Sequence, residues 1–302
     1  MSKYYYLVSG LPNISFDGSK LPFKTLEFQE ELVNHISRAD MRLLHILYLK
    51  VDNQNLLEQL QYSDWELNSG GIITIGEIHE FLSNMRIKCE REKEGNYESP
   101  VGSRMRENHI PPYFELFTNE YFESLEKDDP IVIPWEDRLS SLYYQFAMKC
   151  KNRFIASWFE LNLNIQNIFT ALTCRKFGLD RTKYIVGDTE LSNMLRFSTE
   201  RDFDIDDSFQ YGHSVLRIAE DADLLQREWK IDQLKWEWLD EQTFVKVFDI
   251  ESVLAYMLKL EILERWARLD KATGENLFRQ FVGAMKRGSG HTLEEFNRNN
   301  KK

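Results

Sequence analysis

Residues 134–178 read PWEDRLSSLYYQFAMKCKNRFIASWFELNLNIQNIFTALTCRKFG, and this stretch decides the fold class. Leu139, Leu142, Phe146, Cys150, Phe154, Trp158, Leu161, Ile165, Ile168 and Leu172 recur at steps of three or four, so they share one stripe of an α-helix. No Gly or Pro interrupts the stripe. Pro134 stands where a helix start tolerates a missing N–H, and Glu136 and Asp137 suit the positive N-terminal end. Arg175, Lys176 and Gly178 suit the C-terminal end. The stretch is either one helix, about 60 Å long at a rise of about 1.5 Å per residue, or two helices joined near Asn162. Either way it is a spine along which helical bundles pack, with Trp158 expected to be buried between them.

The composition is that of a folded protein. The chain has 302 residues, 42% hydrophobic and 13% aromatic, enough for a large core in one or two domains. No apolar run is long enough to span a bilayer, and the opening MSKYYYLVSGLPNISF lacks the apolar core and cleavage site of a secretory signal. Cys89, Cys150 and Cys174 are an odd number without metal-ligand spacing, as expected of buried thiols in a reducing cytoplasm. A net charge of −11 argues against a nucleic-acid binder, whose footprint is basic, and favours basic protein partners.

Along the chain, Tyr4 to Val8 is a strand or a first helical turn, ended by Ser9-Gly10-Leu11-Pro12. Leu26 to Leu60 reads as helices, with Asp40 as an N-cap between two of them. Ser69-Gly70-Gly71 is a turn, Ile72 to Ile75 a brief strand, and Glu77 to Met85 a helix. Lys88 to Asn108 is charged and Gly/Ser-rich, reading as a mobile loop and a subdomain boundary. Tyr113 to Leu125 and Asp188 to Arg196 are short helices, and Arg201 to Ser208 is an acidic loop. Ser214 caps a helix carrying Leu216, Leu224, Leu225, Trp229 and Leu234, and Asp249 caps another. On the latter, Glu261–Arg265 and Glu264–Arg268 have the favoured helical spacing. Glu275 to Met285 closes the folded part, and the tail from Arg287 is polar.

Candidate chemistry is sparse. Asp202, Asp204 and Asp206 alternate like the first ligands of a calcium loop, but Asp207 replaces its Gly and His213 its final Glu. A solvated acidic loop is the better reading. His79-Glu80 lacks the second His of a zincin, and Gly70-Gly71 lacks the Lys-Ser/Thr of a phosphate loop. No dinucleotide fingerprint or nucleophile elbow occurs. Trp229, Trp236 and Trp238 suit core packing on an amphipathic helix better than a ligand face. Asn13-Ile14-Ser15 is a sequon without a secretion signal to give it meaning. The sequence therefore names no catalytic residue, no cofactor-binding residue and no metal ligand, and the protein is expected to bind neither metal nor nucleotide.

Internal repetition is more informative. Tyr48 to Leu60, YLKVDNQNLLEQL, and Trp158 to Leu172, WFELNLNIQNIFTAL, both carry an Asn followed by aliphatic residues, Asn55-Leu56-Leu57 in one and Asn164-Ile165 in the other. Ser252 to Leu269 is a looser version, so the chain reads as similar helical bundles in series.

On these segments the chain resembles the C-subunit family of V-type and A-type ATPases, whose eukaryotic members are called the d-subunit. The resemblance is carried by FELNLNIQNIFTALTCRKFGLD (159–180), DNQNLLEQL (52–60) and the ending ESVLAYMLKLEILERWARL (251–269). YYYLVSGLP (4–12) is similar to the opening of a divergent bacterial group associated with these ATPases. The resemblance implies an all-α fold, an elongated funnel of three related bundles around long helices. Its approximate subdomains would be 1–108, 109–200 and 201–290, followed by a flexible tail over 291–302. It implies a non-catalytic central-stalk connector that couples the rotor axle to the membrane proteolipid ring during ion transport, proton transport included. The implied partners are the axle subunits and the ring, with no nucleic acid and no small-molecule substrate. The protein would be a monomer within a hetero-oligomer, cytoplasmic and held at the membrane through the ATPase. The charged insertion at Lys88 to Asn108 and the loop around Gly70-Gly71 depart from the family pattern. A cytoplasmic helical scaffold or adaptor unrelated to ATPases is the alternative, and an enzyme with a dispersed site is a third reading.

Overall fold

The computed structural model describes residues 4–16, 21–62, 68, 70–93, 110–127, 134–205 and 209–269. The fold is all-α, and no strand occurs among the described residues. The helices are α1 (Tyr5–Gly10), α2 (Thr25–His35), α3 (Arg38–Gln61), α4 (Ile75–Lys93), α5 (Pro112–Lys127), α6 (Trp135–Met148), α7 (Arg153–Phe177), α8 (Arg181–Tyr184), α9 (Glu190–Phe197), α10 (Gly212–Ala219) and α11 (Leu224–Thr243). A twelfth, α12, covers 250–269. The chain divides into two compact units, residues 37–231 and residues 1–36 with 232–302, so the division falls within α11.

Unit 37–231 is built around the spine, which is two helices joined well before Asn162. The amides of Lys149 and Cys150 close a tight turn on the carbonyls of Phe146 and Ala147, 3.2 and 3.0 Å away. Asn152 then caps α7 by accepting from the Ile155 amide at 3.2 Å. Asn162 lies inside α7 and folds its amide back on the Trp158 carbonyl at 2.7 Å, leaving the helix unbroken. With four residues between them and extensive mutual packing, α6 and α7 form a helical hairpin. Gly178 ends α7 in the left-handed conformation, φ 68°, while the Leu179 amide returns to the Cys174 carbonyl at 2.8 Å. Helices α8, α9 and α10 also pack on α7, which is why it buries more than one stripe. Phe154, Leu161, Ile165 and Ile168 are buried as the periodicity requires, and so are Ile155, Phe159, Leu163 and Ala171. Trp158 is half-buried, so Phe159 takes the interior place expected of it. Helices α3 and α5 flank α6, and α4 packs on α5. Tyr143 from α6 anchors to α3 by donating to the Ile46 carbonyl at 2.8 Å.

The second unit joins α1, α2, the end of α11, and α12. Phe28 of α2 is buried edge-on against Tyr256 of α12, ring centroids 5.4 Å apart, and Glu264 accepts from the Thr25 amide at 3.0 Å. Tyr4 donates its amide to the Phe248 carbonyl at 2.7 Å. Asp232 of α11, nearly fully buried, accepts from the Trp266 indole at 2.9 Å and pairs with Arg265. Trp236 and Trp238 are core residues.

Of the two readings of the opening aromatic run, strand or helical turn, the structure has the helix, as α1. Several other local expectations change. Ser37 rather than Asp40 caps α3; its hydroxyl accepts the Asp40 amide at 3.2 Å and donates to the Asp40 carboxylate at 2.8 Å. Residues 72–75 make no strand, because the amides of Ile72 and Ile73 bond to Asp52 instead of a ladder. Helix α4 runs on through Lys93, so the start of the expected mobile loop is helical, while 94–108 lies outside the described residues. Ser214 sits inside α10, whose N-cap is Tyr211. A break before Leu224 separates α10 from α11, and Asp223 caps α11 by accepting from the Leu225 amide at 2.8 Å. Leu224 and Leu225 are exposed. Glu264–Arg268 is an ion pair at 3.6 Å, as its spacing predicts, and Arg265 pairs with Asp232 on α11. The Glu275–Met285 helix and the tail lie outside the described residues.

Candidate functional site

The chain's most organised polar groups are two buried asparagines on two long helices. On α3, Asn55 is fully buried; its Oδ1 accepts from the Asn68 amide at 3.0 Å and its Nδ2 donates to the Asn68 carbonyl at 3.2 Å. On α7, Asn167 does the same to Val186, accepting at 3.0 Å and donating at 2.7 Å. Each side-chain amide thus serves both the donor and the acceptor of one loop residue, the pairing a neighbouring strand would otherwise supply. Beyond each clamp a threonine starts the next helix. Thr74 and Glu77 form a reciprocal capping box on α4, with the Thr74 amide donating to Glu77 Oε2 at 2.8 Å. Thr189 caps α9 through the Ser192 amide at 3.1 Å.

Superposing the clamps in sequence sets Asp52-Asn53-Gln54-Asn55-Leu56 against Asn164-Ile165-Gln166-Asn167-Ile168. The repeat expected from sequence is therefore present in α3 and α7, but its register is Asn55 with Asn167, not with Asn164. Asn164 instead matches Asp52, and both are buried one turn before the clamp. Helix α12 contains no asparagine, so the looser third copy lacks the clamp residue.

Close packing fixes the loops. Gly71 lies over the first clamp, where an added Cβ would fall 2.3 Å from Asp52 Oδ1 and 3.0 Å from Asn55 Nδ2. Asp52 Oδ1 accepts from the amides of Ile72 and Ile73 at 2.9 and 3.0 Å. Asn53, on the same turn, accepts from the Tyr113 hydroxyl at 2.6 Å. Burial raises the Tyr113 phenol well above its ordinary range, the Asn53 bond opposing it. At the second clamp Gly187 takes φ 80° against Leu163. Ser192 bonds both Asn167 and the Val186 carbonyl, and Arg196 donates to the carbonyls of Ile185 and Gly187.

Among the described residues these clamps hold backbone groups, and the carboxylate and hydroxyl beside them, Asp52 and Ser192, bond two loop amides and a loop carbonyl. Across the described residues, no three His, Cys, Asp or Glu side chains gather as a metal site would require. Asp204 accepts from the Ser198 hydroxyl at 3.0 Å, and Asp206 and Asp207 lie outside the described residues. His79 bonds Gln59 at 3.0 Å. Cys174 is buried, Cys89 and Cys150 half-buried, and none of the three is in a disulfide.

A family model described as "Protein of unknown function (DUF2764)" matches residues 1–289. The chain belongs to this family. No curated protein and no solved structure matches it. In this DUF2764 chain a second organised feature follows α7. Arg175 lies over the Phe203 ring, 3.8 Å from its centroid, with Arg181 5.5 Å away on the same ring. The two guanidiniums donate to the carbonyls of Glu200, Arg201 and Ser198. Burial, then the neighbouring Arg181, presses the Arg175 pKa below its ordinary range. Phe203 and Asp204 are held left-handed, φ 58° and 57°, a conformation costly for residues with side chains. Nothing in the sequence signals this bracket, since two arginines six residues apart near a phenylalanine form no recognised pattern.

Proposed function

We propose that this protein is a non-catalytic central-stalk connector of a rotary V-type ATPase, seating the rotor axle on the membrane proteolipid ring. The observation that supports it is the clamped helix–loop–helix unit, present on both α3–α4 and α7–α9. Repeated helical units that differ in detail but share a buried polar anchor suit a force-transmitting part that meets several partners. Loops anchored by buried side-chain amides suit the transmission of torque, and torque transmission needs no reactive side chain. The three-bundle funnel belongs to the same proposal. No helix among the described residues is long and apolar enough to cross a membrane, so contact with the membrane sector would run through other subunits.

Affinity purification of the tagged full chain from native membranes, followed by mass spectrometry, tests this. Stalk and ring components of the ATPase are the expected companions, and their recovery should fall with rising salt, because exposed charge pairs are screened over a Debye length of about 8 Å at physiological ionic strength. Recovery of soluble proteins alone, with no component of the ATPase, would favour the scaffold reading instead.

A further inference from the structure

We propose that the surface formed by the end of α7, α8 and the end of α9 docks an acidic segment of a partner protein that carries apolar side chains. Phe177 and Phe197 are 67% and 71% exposed, and Leu179 and Tyr184 are exposed beside them in the chain. Helices α7, α8 and α9 pack on one another. Arg181 donates to the Ser198 carbonyl and Arg175 to those of Glu200 and Arg201, which ties the three helix ends together. The bracketed Phe203 beneath makes this end a fixed platform, so docking orders little that is not already ordered.

Charge selects the occupant. Residues 175–184 hold four cations, Arg175, Lys176, Arg181 and Lys183, against one carboxylate, Asp180, and with residues 196–204, which add two cations and three carboxylates, the local balance is +2 in a chain of −11. Asp180 is already engaged by the Thr182 amide and hydroxyl at 3.0 and 2.7 Å. None of the four cations is in an ion pair among the described residues; Lys176 faces the Phe177 ring at 5.6 Å. The negative end of α7 accounts for Arg175 and Lys176. It does not account for four exposed apolar side chains, two of them phenylalanines, at the same place. An anionic bilayer would repel the rest of a chain this acidic, whereas an acidic protein segment need meet only the basic island. The surface is independent of the ATPase reading.

The test uses the full chain and a random copolymer of glutamate and tyrosine as the probe, with polyglutamate and phosphatidylcholine–phosphatidylserine vesicles as comparisons. Saturable copolymer binding, tighter than polyglutamate, is expected. Both Phe177→Ser with Phe197→Ser and Lys176→Glu with Lys183→Glu should weaken it about tenfold or more. Phe244→Ser with Val245→Ser, two residues 82% exposed on the other unit, should leave it unchanged. All six positions are exposed, so melting is expected to hold and to certify folding. Absence of copolymer binding, equal loss in the Phe244/Val245 control, or vesicle capture that depends on Phe177 and Phe197 would each overturn the proposal, the last in favour of a lipid surface.

Discussion

The α3–α4 and α7–α9 loops are held by the same device under opposite conditions. In the first, Asn55 grips Asn68 at the edge of solvent, and Asp52 shares the work by accepting two further amides deeper in. In the second, Asn167 grips Val186 in the dry interior, and the residue matching Asp52 is Asn164, whose Oδ1 is buried with no hydrogen-bond partner. Asn55 and Asp52 thus both accept amides of the first loop, whereas in the second Asn167 alone accepts the Val186 amide, and Ser192 and Arg196 donate to carbonyls. A buried backbone group that loses its partner cannot recruit water, so reliance on one acceptor makes the second clamp the more vulnerable.

The largest expected effect follows. Asn167→Ala strands the Val186 amide and weakens the bonding of its carbonyl, leaving only Ser192 there. At about 1–3 kcal/mol per orphaned buried group, the loss of unfolding free energy should reach about 2–5 kcal/mol. Asn55→Ala frees groups that water can reach and should cost about 1–2 kcal/mol. Urea titration of both variants measures the gap. Equal costs would mean that the two loops are equally wet, and the contrast between the clamps would fail.

How much of this was legible in the sequence differs residue by residue. The end of α7 was, because Gly178 takes the left-handed cap that Arg175 and Lys176 announce. The break at 149–152 was not, since Cys150 keeps the apolar phase and Asn152 looks like any polar residue until its side chain is seen to cap Ile155. Ile72 to Ile75 looks like a strand by its β-branched content, yet the partner of its amides is Asp52, some twenty residues upstream, which no local pattern contains. The repeat itself was visible. Its register was not, because Asn164 and Asn167 are both followed by isoleucine and only the hydrogen bonds choose between them.

A smaller effect sharpens the role of Asp52. Gly71→Ala forces a Cβ to within 2.3 Å of Asp52 Oδ1 and should cost about 1–3 kcal/mol, as overpacking does. Asp52→Ala should cost a similar amount by stranding the Ile72 and Ile73 amides. Together they should cost less than their sum by about 1 kcal/mol, because the second change removes the atom with which the first collides. Strict additivity in a double-mutant cycle would show that Gly71 is needed for something other than its approach to Asp52.

The smallest expected effect is the most diagnostic. Asn164 occupies the position of Asp52, but Oδ1 of Asn164 is buried without a hydrogen-bond partner, so no bond to that oxygen is lost when it is removed. Replacing a buried polar group by an apolar one of similar size is near neutral when no partner is left behind. Asn164→Leu should therefore change unfolding free energy by less than about 1 kcal/mol, and can stabilise the chain by returning an apolar side chain to an apolar site. The same substitution at its counterpart, Asp52→Leu, should cost at least as much as Asp52→Ala, since two amides lose their acceptor and a branched side chain presses on Gly71. If Asn164→Leu instead costs more than about 2 kcal/mol, the size of a stranded buried group, then Asn164 has a donor in solution. The two clamps would then share their load in the same way, and the asymmetry between them would vanish.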